Sequence, residues 1–290
     1  MNEILNSCIR AAIAGGEKIA NYIPERAETK DDQYVGHHAI VTPADYMSQE
    51  AILNAIRKGN AFFMTEEHVK DEDFARRLIR KDNLETMLDQ GGYIIDELDG
   101  SSSFNIGHYE WSTSVGYVEN LEHKAGAVFA PKIDKGLLFY ASLGEGSFLE
   151  INGGGKKIEV AQRKLKDSYL IFGVDCFLTK YLFHNRHLHE LSDLCRTTNS
   201  NGSCALPLGL VASGKADALI QPLVCPWDWA GGKLIVEEAG GKVIFYEMEG
   251  DNIKRVDRLE VRHYHPDKRM VGFVAAHEDL AENIFEKLGK

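Results

Sequence analysis

The sequence lacks an excess of basic residues, a paired-cysteine motif and any long apolar run. Lys and Arg total 33 against 44 Asp and Glu, for a formal charge of −11. Nucleic-acid binding relies on basic side chains that displace counterions from the phosphate backbone, so this balance argues against a nucleic-acid-binding surface. The same deficit weighs against an anionic substrate, unless a bound divalent cation becomes the dominant local charge and reverses the logic. The five cysteines, Cys8, Cys176, Cys195, Cys204 and Cys225, are odd in number and form no CxxC pair, which points to reduced thiols rather than a disulfide framework. No apolar stretch approaches the roughly 20 residues of a membrane span. The first 20 residues scatter Glu3, Arg10, Glu17 and Lys18 through their apolar positions, unlike a secretory signal. The expectation is a soluble cytoplasmic protein with no membrane partner.

Repeats, low-complexity tracts and Pro/Gly/Ser-rich linkers are missing as well. What remains is ordinary globular composition, 44% hydrophobic and 27% charged over 290 residues. A chain of this length buries roughly three quarters of its unfolded surface and can build a core without staples. Helical spacing of Ile4, Leu5, Cys8, Ile9, Ala12 and Ile13 predicts an amphipathic first helix ending near Gly15 or a little later. Residues 24–38, including Lys30, read as a polar loop. Thr42-Pro43 opens a second helix, threonine as cap and proline in the first turn. Ala61–Thr65 reads as a strand, Glu72–Lys81 as a charged helix, and Tyr93–Ile95 as a buried strand running into Asp96. Strands follow at 112–118, 126–130 and 136–140, then a hairpin of 144–149 and 157–160 turning at Gly153-Gly154-Gly155. The second half alternates: strands at 169–174, 218–221, 243–246 and 271–275, helices at 181–195, 205–212, 227–239 and 279–288. The pattern predicts an α/β layered sandwich of two sheets with intervening helices. Its domains are expected at 1–150, α+β with the acidic motifs, and 151–290, α/β and contributing Asp228.

The most informative stretch is Ile94-Ile95-Asp96-Glu97-Leu98-Asp99-Gly100-Ser101-Ser102-Ser103-Phe104. A buried strand ends in two carboxylates three positions apart, a glycine permits a tight turn, and a hydroxyl run opens a helix. Carboxylates suited to a hard cation thus stand beside the backbone amides of Gly100, Ser101 and Ser102, where a helix N-terminus favours an anion. Metal-assisted phosphoryl chemistry needs those two parts together. An exposed acidic turn before a serine N-cap gives the same pattern. Thr65-Glu66-Glu67 after an apolar strand and Trp227-Asp228 at a helix start are each, alone, ordinary solvated charge and ordinary capping. Their weight lies in the combination.

That combination resembles the inositol monophosphatase family, within the wider group of fructose-1,6-bisphosphatases and bisphosphate nucleotidases. The family pattern has a Glu-Glu pair, Asp-Pro-Ile/Leu-Asp-Gly-Thr/Ser, and Trp-Asp before a helix ending Glu-Ala-Gly-Gly. Here these are Glu66-Glu67, Asp96 through Ser101, and Trp227-Asp228 through Glu238-Ala239-Gly240-Gly241. Val41-Thr42-Pro43-Ala44-Asp45 is similar to its Val-Thr-x-x-Asp, and Gly202-Ser203-Cys204-Ala205 to its Gly-Ser/Thr-Ala-Ala. The resemblance implies an αβαβα sandwich and Mg2+-dependent hydrolysis of a small phosphate monoester by metal-activated water. It places two or three Mg2+ ions, with Mn2+ a substitute and Li+ an inhibitor, on Glu66, Asp96, the Leu98 carbonyl, Asp99 and Asp228. Glu66 and Ser101, with Asp45 behind the serine, would orient and deprotonate the water. Gly100, Ser101, Ser102, Gly202, Ser203 and Gln221 would contact phosphate or substrate. Homodimers are common among such relatives.

Departures from the pattern bear on substrate. Glu97 replaces the usual proline, either tightening metal binding or facing water. Ser103 replaces asparagine and Cys204 replaces alanine. Gln221 stands where inositol-specific members carry an acid, and Asn199 where many have arginine. The implied substrates are inositol monophosphate, fructose 1,6-bisphosphate or a similar polyol or sugar phosphate. A 3′(2′),5′-bisphosphate nucleotidase, acting on 3′-phosphoadenosine 5′-phosphate, is the enzymatic alternative, and a non-catalytic binding paralogue the alternative of another class. His184, His187 and His189 lie at helical spacing and would make a zinc site only if a further ligand joined them. His263 and His265 alternate as on a strand face and read as structural.

Overall fold

In the computed structural model the described residues are 3–23, 28–29, 40–56, 61–67, 69, 77–79, 83–173, 189–250 and 252–289. The predicted Lys30, His184 and His187 lie outside them, as does most of the predicted helix at 72–81. Its described end, Arg77 to Ile79, is extended instead: Leu78 bridges Phe63 in parallel, with the Phe63 N–H donating to Arg77 and the Ile79 N–H to Phe63.

The five-layer αβαβα sandwich expected from the sequence is present. Helices α1 (Glu3–Ile19) and α2 (Pro43–Ala55) cover the outer face of a seven-stranded sheet. That sheet comprises β3 (Phe62–Thr65), β4 (Gly92–Asp99), β5 (Ser112–Glu119), β6 (Glu122–Ala130), β7 (Leu137–Ser142), β8 (Gly146–Ile151) and β9 (Gly154–Ile158), in that order. Short strands β1 (Glu28–Thr29) and β2 (Ile40–Val41) pair separately, and helix α3 (Leu84–Gln90) and the five-residue helix α4 (Ser101–Asn105) flank β4. The second sheet has six strands, β10 (Tyr169–Phe172), β11 (Thr197–Asn199), β12 (Ala218–Val224), β13 (Gly241–Glu249), β14 (Asn252–Val256) and β15 (Val271–His277), in the order β11-β10-β12-β15-β13-β14. Helices α5 (Ala205–Ala212) and α6 (Pro226–Glu238) lie between the sheets, and α7 (Glu278–Leu288) covers the outer face of the second.

Three apolar layers hold this stack, the largest between the sheets. The positioning of α6 depends on small residues. A Cβ on Gly126 would come within 2.2 Å of the Gly231 carbonyl, and one on Gly116 within 2.6 Å of the Ala230 carbonyl. Side-chain-free strands therefore let the helix backbone rest directly on β5 and β6. Immediately beside this seam Trp229, fully buried, packs edge-on to Phe245 with centroids 5.0 Å apart and tilted against Tyr264 at 5.2 Å. Burying a large aromatic of this kind contributes about 3 kcal/mol, which locks α6 in rotation.

Helix α1 ends at Ile19, a little beyond Gly15 as expected, and Gly15 gives close contact: a Cβ there would lie 2.6 Å from Ile52 and Ser48 of α2. Other boundaries differ from the sequence expectation. The β8–β9 hairpin turns at Asn152 and Gly153, both with positive φ (52° and 76°), so Gly154 and Gly155 belong to β9. Two positive φ angles are what a two-residue hairpin turn requires, and an Asn-Gly pair supplies them. His263 lies in a 3-10 turn, Val261–Tyr264, rather than on a strand: its Nδ1 accepts the Glu260 N–H at 2.8 Å.

Candidate active site

Adjacent parallel strands bring the first acids together. β3 pairs with β4 in the register Thr65↔Ile95, so the chain leaving β3 carries Glu66 alongside Asp96 at the same sheet edge. Carboxyl ends of neighbouring parallel strands are a recurrent place for a ligand. Asp96 and Asp99, three apart, would face opposite sides of a regular strand. A β-bulge prevents this: Asp96 opposes Ser114 and Asp99 opposes Ser112, with one extra residue on β4 between them. The extra residue returns both acids to one side. Gly100 then turns the chain at φ 92°, a left-handed conformation that favours glycine, and α4 begins at Ser101.

Asp228 arrives on α6, the helix that follows β12 of the second sheet. Pro226 opens α6, and the Asp228 carboxylate reaches back to accept the Cys225 N–H at 2.7 Å, fixing the first turn. Carboxylate oxygens of Glu66, Asp96 and Glu97 lie within 4.8 Å of one another, a group able to hold a metal ion. Asp96 is buried and Asp228 half-buried, and their pKa values report the crowding. Burial first, then the charges of Glu66, Asp99, Asp228 and Glu97, push Asp96 well above the ordinary carboxylate range. Asp228 is pushed up to about 7, by burial first; Arg269 opposes the rise, and Glu66 and Asp99 add to it. Like charges gathered in a buried place oppose ionisation. An oxygen-liganded divalent cation removes that cost, and the all-oxygen donor set suits Mg2+. The residues therefore fit the ion that the sequence pattern implies.

Asp99 is held differently. Its Oδ1 accepts the Cys204 N–H at 2.7 Å, while Oδ2 accepts the Ser112 hydroxyl at 2.9 Å, the Ala205 N–H at 3.0 Å, the Leu206 N–H at 3.2 Å and the Ser203 hydroxyl. It therefore caps α5 from across the structure. Burial raises its pKa, and these donors offset part of the rise. Ser203 enters the site as a partner of Asp99. Gly202 packs over α4, where a Cβ would stand 3.2 Å from the Ser103 hydroxyl, itself donating to the Asn201 carbonyl at 2.9 Å.

Ser101 stands between two acceptors. Its hydroxyl lies 2.9 Å from the Leu98 carbonyl and 3.1 Å from Asp45 Oδ1. The other Asp45 oxygen accepts the Thr42 N–H and hydroxyl, each at 2.7 Å, in the capping box that opens α2. Ser102 is exposed in the same turn. Gln221 is buried on β12, its side chain lying over Gly173. Its Oε1 has no hydrogen-bond partner among the described residues. Asn199 is exposed on the edge strand β11, and its carbonyl oxygen accepts the Ser200 N–H at 2.8 Å. His189, the described member of the histidine trio, is exposed.

Residues 1–288 match the profile of the inositol monophosphatase family. The chain belongs to that family. A Thermotoga maritima fructose-1,6-bisphosphatase/inositol-1-monophosphatase is 30% identical over 214 residues, 73% of each chain. The Haemophilus influenzae protein named Nus factor SuhB is 31% identical over 259 residues, 85% of this chain and 86% of its own. Among solved structures, that of a Thermotoga maritima IMPase superposes with a TM-score of 0.74 at 23% identity, covering 99% of this chain and 97% of its own, a likeness of fold.

Set against the inositol monophosphatase pattern, Glu97 is the departure whose surroundings are most specific. It does not face water: it is 1% exposed, and its carboxylate accepts the Gln49 Nε2 at 2.7 Å, the Glu66 N–H at 3.1 Å and the Glu67 N–H at 3.3 Å. Burial first, then Glu67 and Glu66, raise its pKa well above the usual range. Cys204 is a buried thiol kept protonated by burial and by the charges of Asp228, Asp99 and Asp96. Sequence reading did not single out Ser48, Gln49, Ser112 or Arg269. Ser48 and Gln49 carry a signal, since they follow Asp45 at three and four residues and so share its helix face. Ser112 and Arg269 carry none, because tertiary pairing alone brings them in.

Proposed function

We propose that this chain is a Mg2+-dependent phosphatase of small polyol or sugar phosphates. The observation that supports the reading is the approach of the Glu66, Asp96 and Glu97 carboxylates to within 4.8 Å of one another, with Asp99 and Asp228 near enough for their charges to raise the Asp96 pKa. Glu66, Asp96, the Leu98 carbonyl, Asp99 and Asp228 would hold the ions. Bound there, Mg2+ supplies charge that polarises the phosphoryl group and makes water more acidic.

The chain's own residues do the rest. Ser101 directs its single hydroxyl hydrogen at Leu98 or Asp45, leaving its lone pairs to accept from a water. A proton taken from that water passes through the Ser101 hydroxyl toward Asp45, whose second oxygen is pinned by Thr42. Glu66 orients the same water from the end of the neighbouring strand. The Gly100, Ser101 and Ser102 amides, at the turn into α4, would donate to phosphate oxygens. Gln221 brings a buried acceptor that lacks a partner among the described residues, a state that costs about 1–3 kcal/mol; a hydroxyl of the leaving alcohol would satisfy it. A polyol or sugar phosphate offers such a hydroxyl. Relatives named Nus factor SuhB suggest a binding role as a second reading, but all four metal acids are retained here, which favours catalysis.

The test is phosphate release from inositol monophosphate, fructose 1,6-bisphosphate and 3′-phosphoadenosine 5′-phosphate, each with Mg2+ and with EDTA. Release from the first or second that needs Mg2+ is the expected result. Release equal in EDTA on all three contradicts the reading, and preference for the third moves the substrate to nucleotides.

A further inference from the structure

One face of α2 is stitched to the acidic end of β4. Asp45 reaches Ser101, the Ser48 hydroxyl donates to the Glu97 carbonyl at 2.7 Å, and Gln49 Nε2 donates both to Glu97 Oε1 at 2.7 Å and to the Glu67 carbonyl at 2.8 Å. Glu97 completes the seam. Its Oε1 takes Gln49 and the Glu67 N–H, and its Oε2 takes the Glu66 N–H. The turn that presents Glu66 is therefore tied down by one carboxylate at two successive backbone amides and by one amide side chain at a carbonyl. Thr65 adds a fourth tie, its hydroxyl donating to the Glu67 carbonyl at 2.9 Å.

We propose that Glu97 is a positioning residue for the metal centre, holding the 65–67 turn so that Glu66 meets Asp96, and not itself a ligand. The geometry supports the positioning role: Glu97 accepts the two successive backbone amides of Glu66 and Glu67 and the Gln49 side chain of α2, which ties the turn carrying Glu66 to the helix behind it. Three bonds from one side chain fix the turn whether or not the carboxyl group is ionised, because each is accepted by an oxygen. Loss of groups that orient ligands weakens metal binding by roughly 10- to 100-fold.

The inference rests on the Mg2+ reading of the site. Its test is titration calorimetry of Mg2+ into the full-length chain, alongside turnover at saturating Mg2+. Glu97→Gln is expected to weaken Mg2+ binding roughly tenfold or more with the number of ions unchanged, and most of kcat should return at saturating Mg2+. Gln49→Ala should shift affinity the same way by less. The exchanged pair Gln49→Glu with Glu97→Gln should recover part of the loss, because the amide then at position 97 can donate to the carboxylate then at position 49 while its oxygen still accepts a turn amide. If Glu97→Gln does not fold, Gln49→Ala decides alone. Unchanged affinity in a folded variant overturns the proposal, and so does the loss of one bound ion with the others unaffected, which would make Glu97 a ligand. No Mg2+ uptake by the unaltered chain overturns this inference and the functional reading together; uptake by it with unaffected variants overturns this inference only.

Discussion

Asp228 and Trp229 are neighbours in the first turn of α6, and the buried titratable groups around them are built on opposite terms. Behind Trp229 the histidine is neutral and bonded at both nitrogens. His123 Nδ1 donates to the Ala230 carbonyl at 3.2 Å, and its Nε2 accepts the Tyr264 hydroxyl at 3.1 Å. Burial, aided by Lys233, holds His123 neutral, well below its ordinary pKa. Around Asp228 carboxyl groups crowd together, and although Arg269 opposes the rise at Asp228, Asp96, Glu97 and Asp228 all resist ionisation. A neutral, hydrogen-bonded cluster stabilises the fold by itself. A cluster of acids costs stability until a cation or protons join it, and on the proposed reading it is the end of the helix that works.

If that contrast is right, neutralising an acid and removing an aromatic should act in opposite directions. Asp96→Asn should lower phosphate release by roughly a thousandfold, about 4 kcal/mol in the barrier, while the metal-free protein melts no lower than before, because a buried repulsion is relieved. Paired assays and thermal melts in EDTA check both halves. Trp229→Ala should do the reverse to stability, lowering it by roughly 3–5 kcal/mol through the cavity it leaves, as measured by urea unfolding. Asp99 is unsuited to this contrast, since it also caps α5 and its loss would touch both properties.

The two clusters also differ in the sign of their pH dependence. The folded acids have raised pKa values, so between about pH 4, the unfolded carboxylate value, and about 7 for Asp228 the folded chain holds protons that the unfolded chain releases. Metal-free stability should therefore fall as pH rises through that window. On the proposed reading Mg2+ would bind the ionised form, so its stabilisation should be larger at pH 8 than at pH 5, read as the Mg2+-induced change in Tm at each pH. His123 works the other way. Its folded pKa is depressed, so the unfolded chain takes up a proton first as pH drops below about 6.5, and stability falls by at most about 1.4 kcal/mol per pH unit. His123→Gln should remove that acid-side slope, the smallest of these effects, seen by comparing unfolding free energies at about pH 6.5 and 5.5.

Much of this arrangement is legible in the sequence, because several motifs sit where elements change. Thr65-Glu66, Asp99-Gly100-Ser101 and Pro226 to Asp228 each mark the end of a strand or the start of a helix, and local patterning finds such points, although β4 runs on through Asp96 to Asp99 where the sequence suggests an end at Ile95. Two sheets with intervening helices follow from the order of those elements, and the five layers from the family resemblance. What patterning cannot find is set by pairing between distant segments. The bulge that turns Asp96 and Asp99 to one side depends on the register with Ser112 and Ser114. The burial of Glu97 depends on Gln49, 48 residues away. The extended stretch at Leu78 has a charged, helix-like composition, and pairing with Phe63 overrides it. Helix α3 escapes notice because it is only seven residues long.

The most direct test of the central claim is an anomalous difference map from crystals of the chain soaked in Mn2+. The account predicts at least one strong peak enclosed by Glu66, Asp96, Asp99 and Asp228. A map with no peak among those side chains, or with manganese held only elsewhere on the surface, would contradict it.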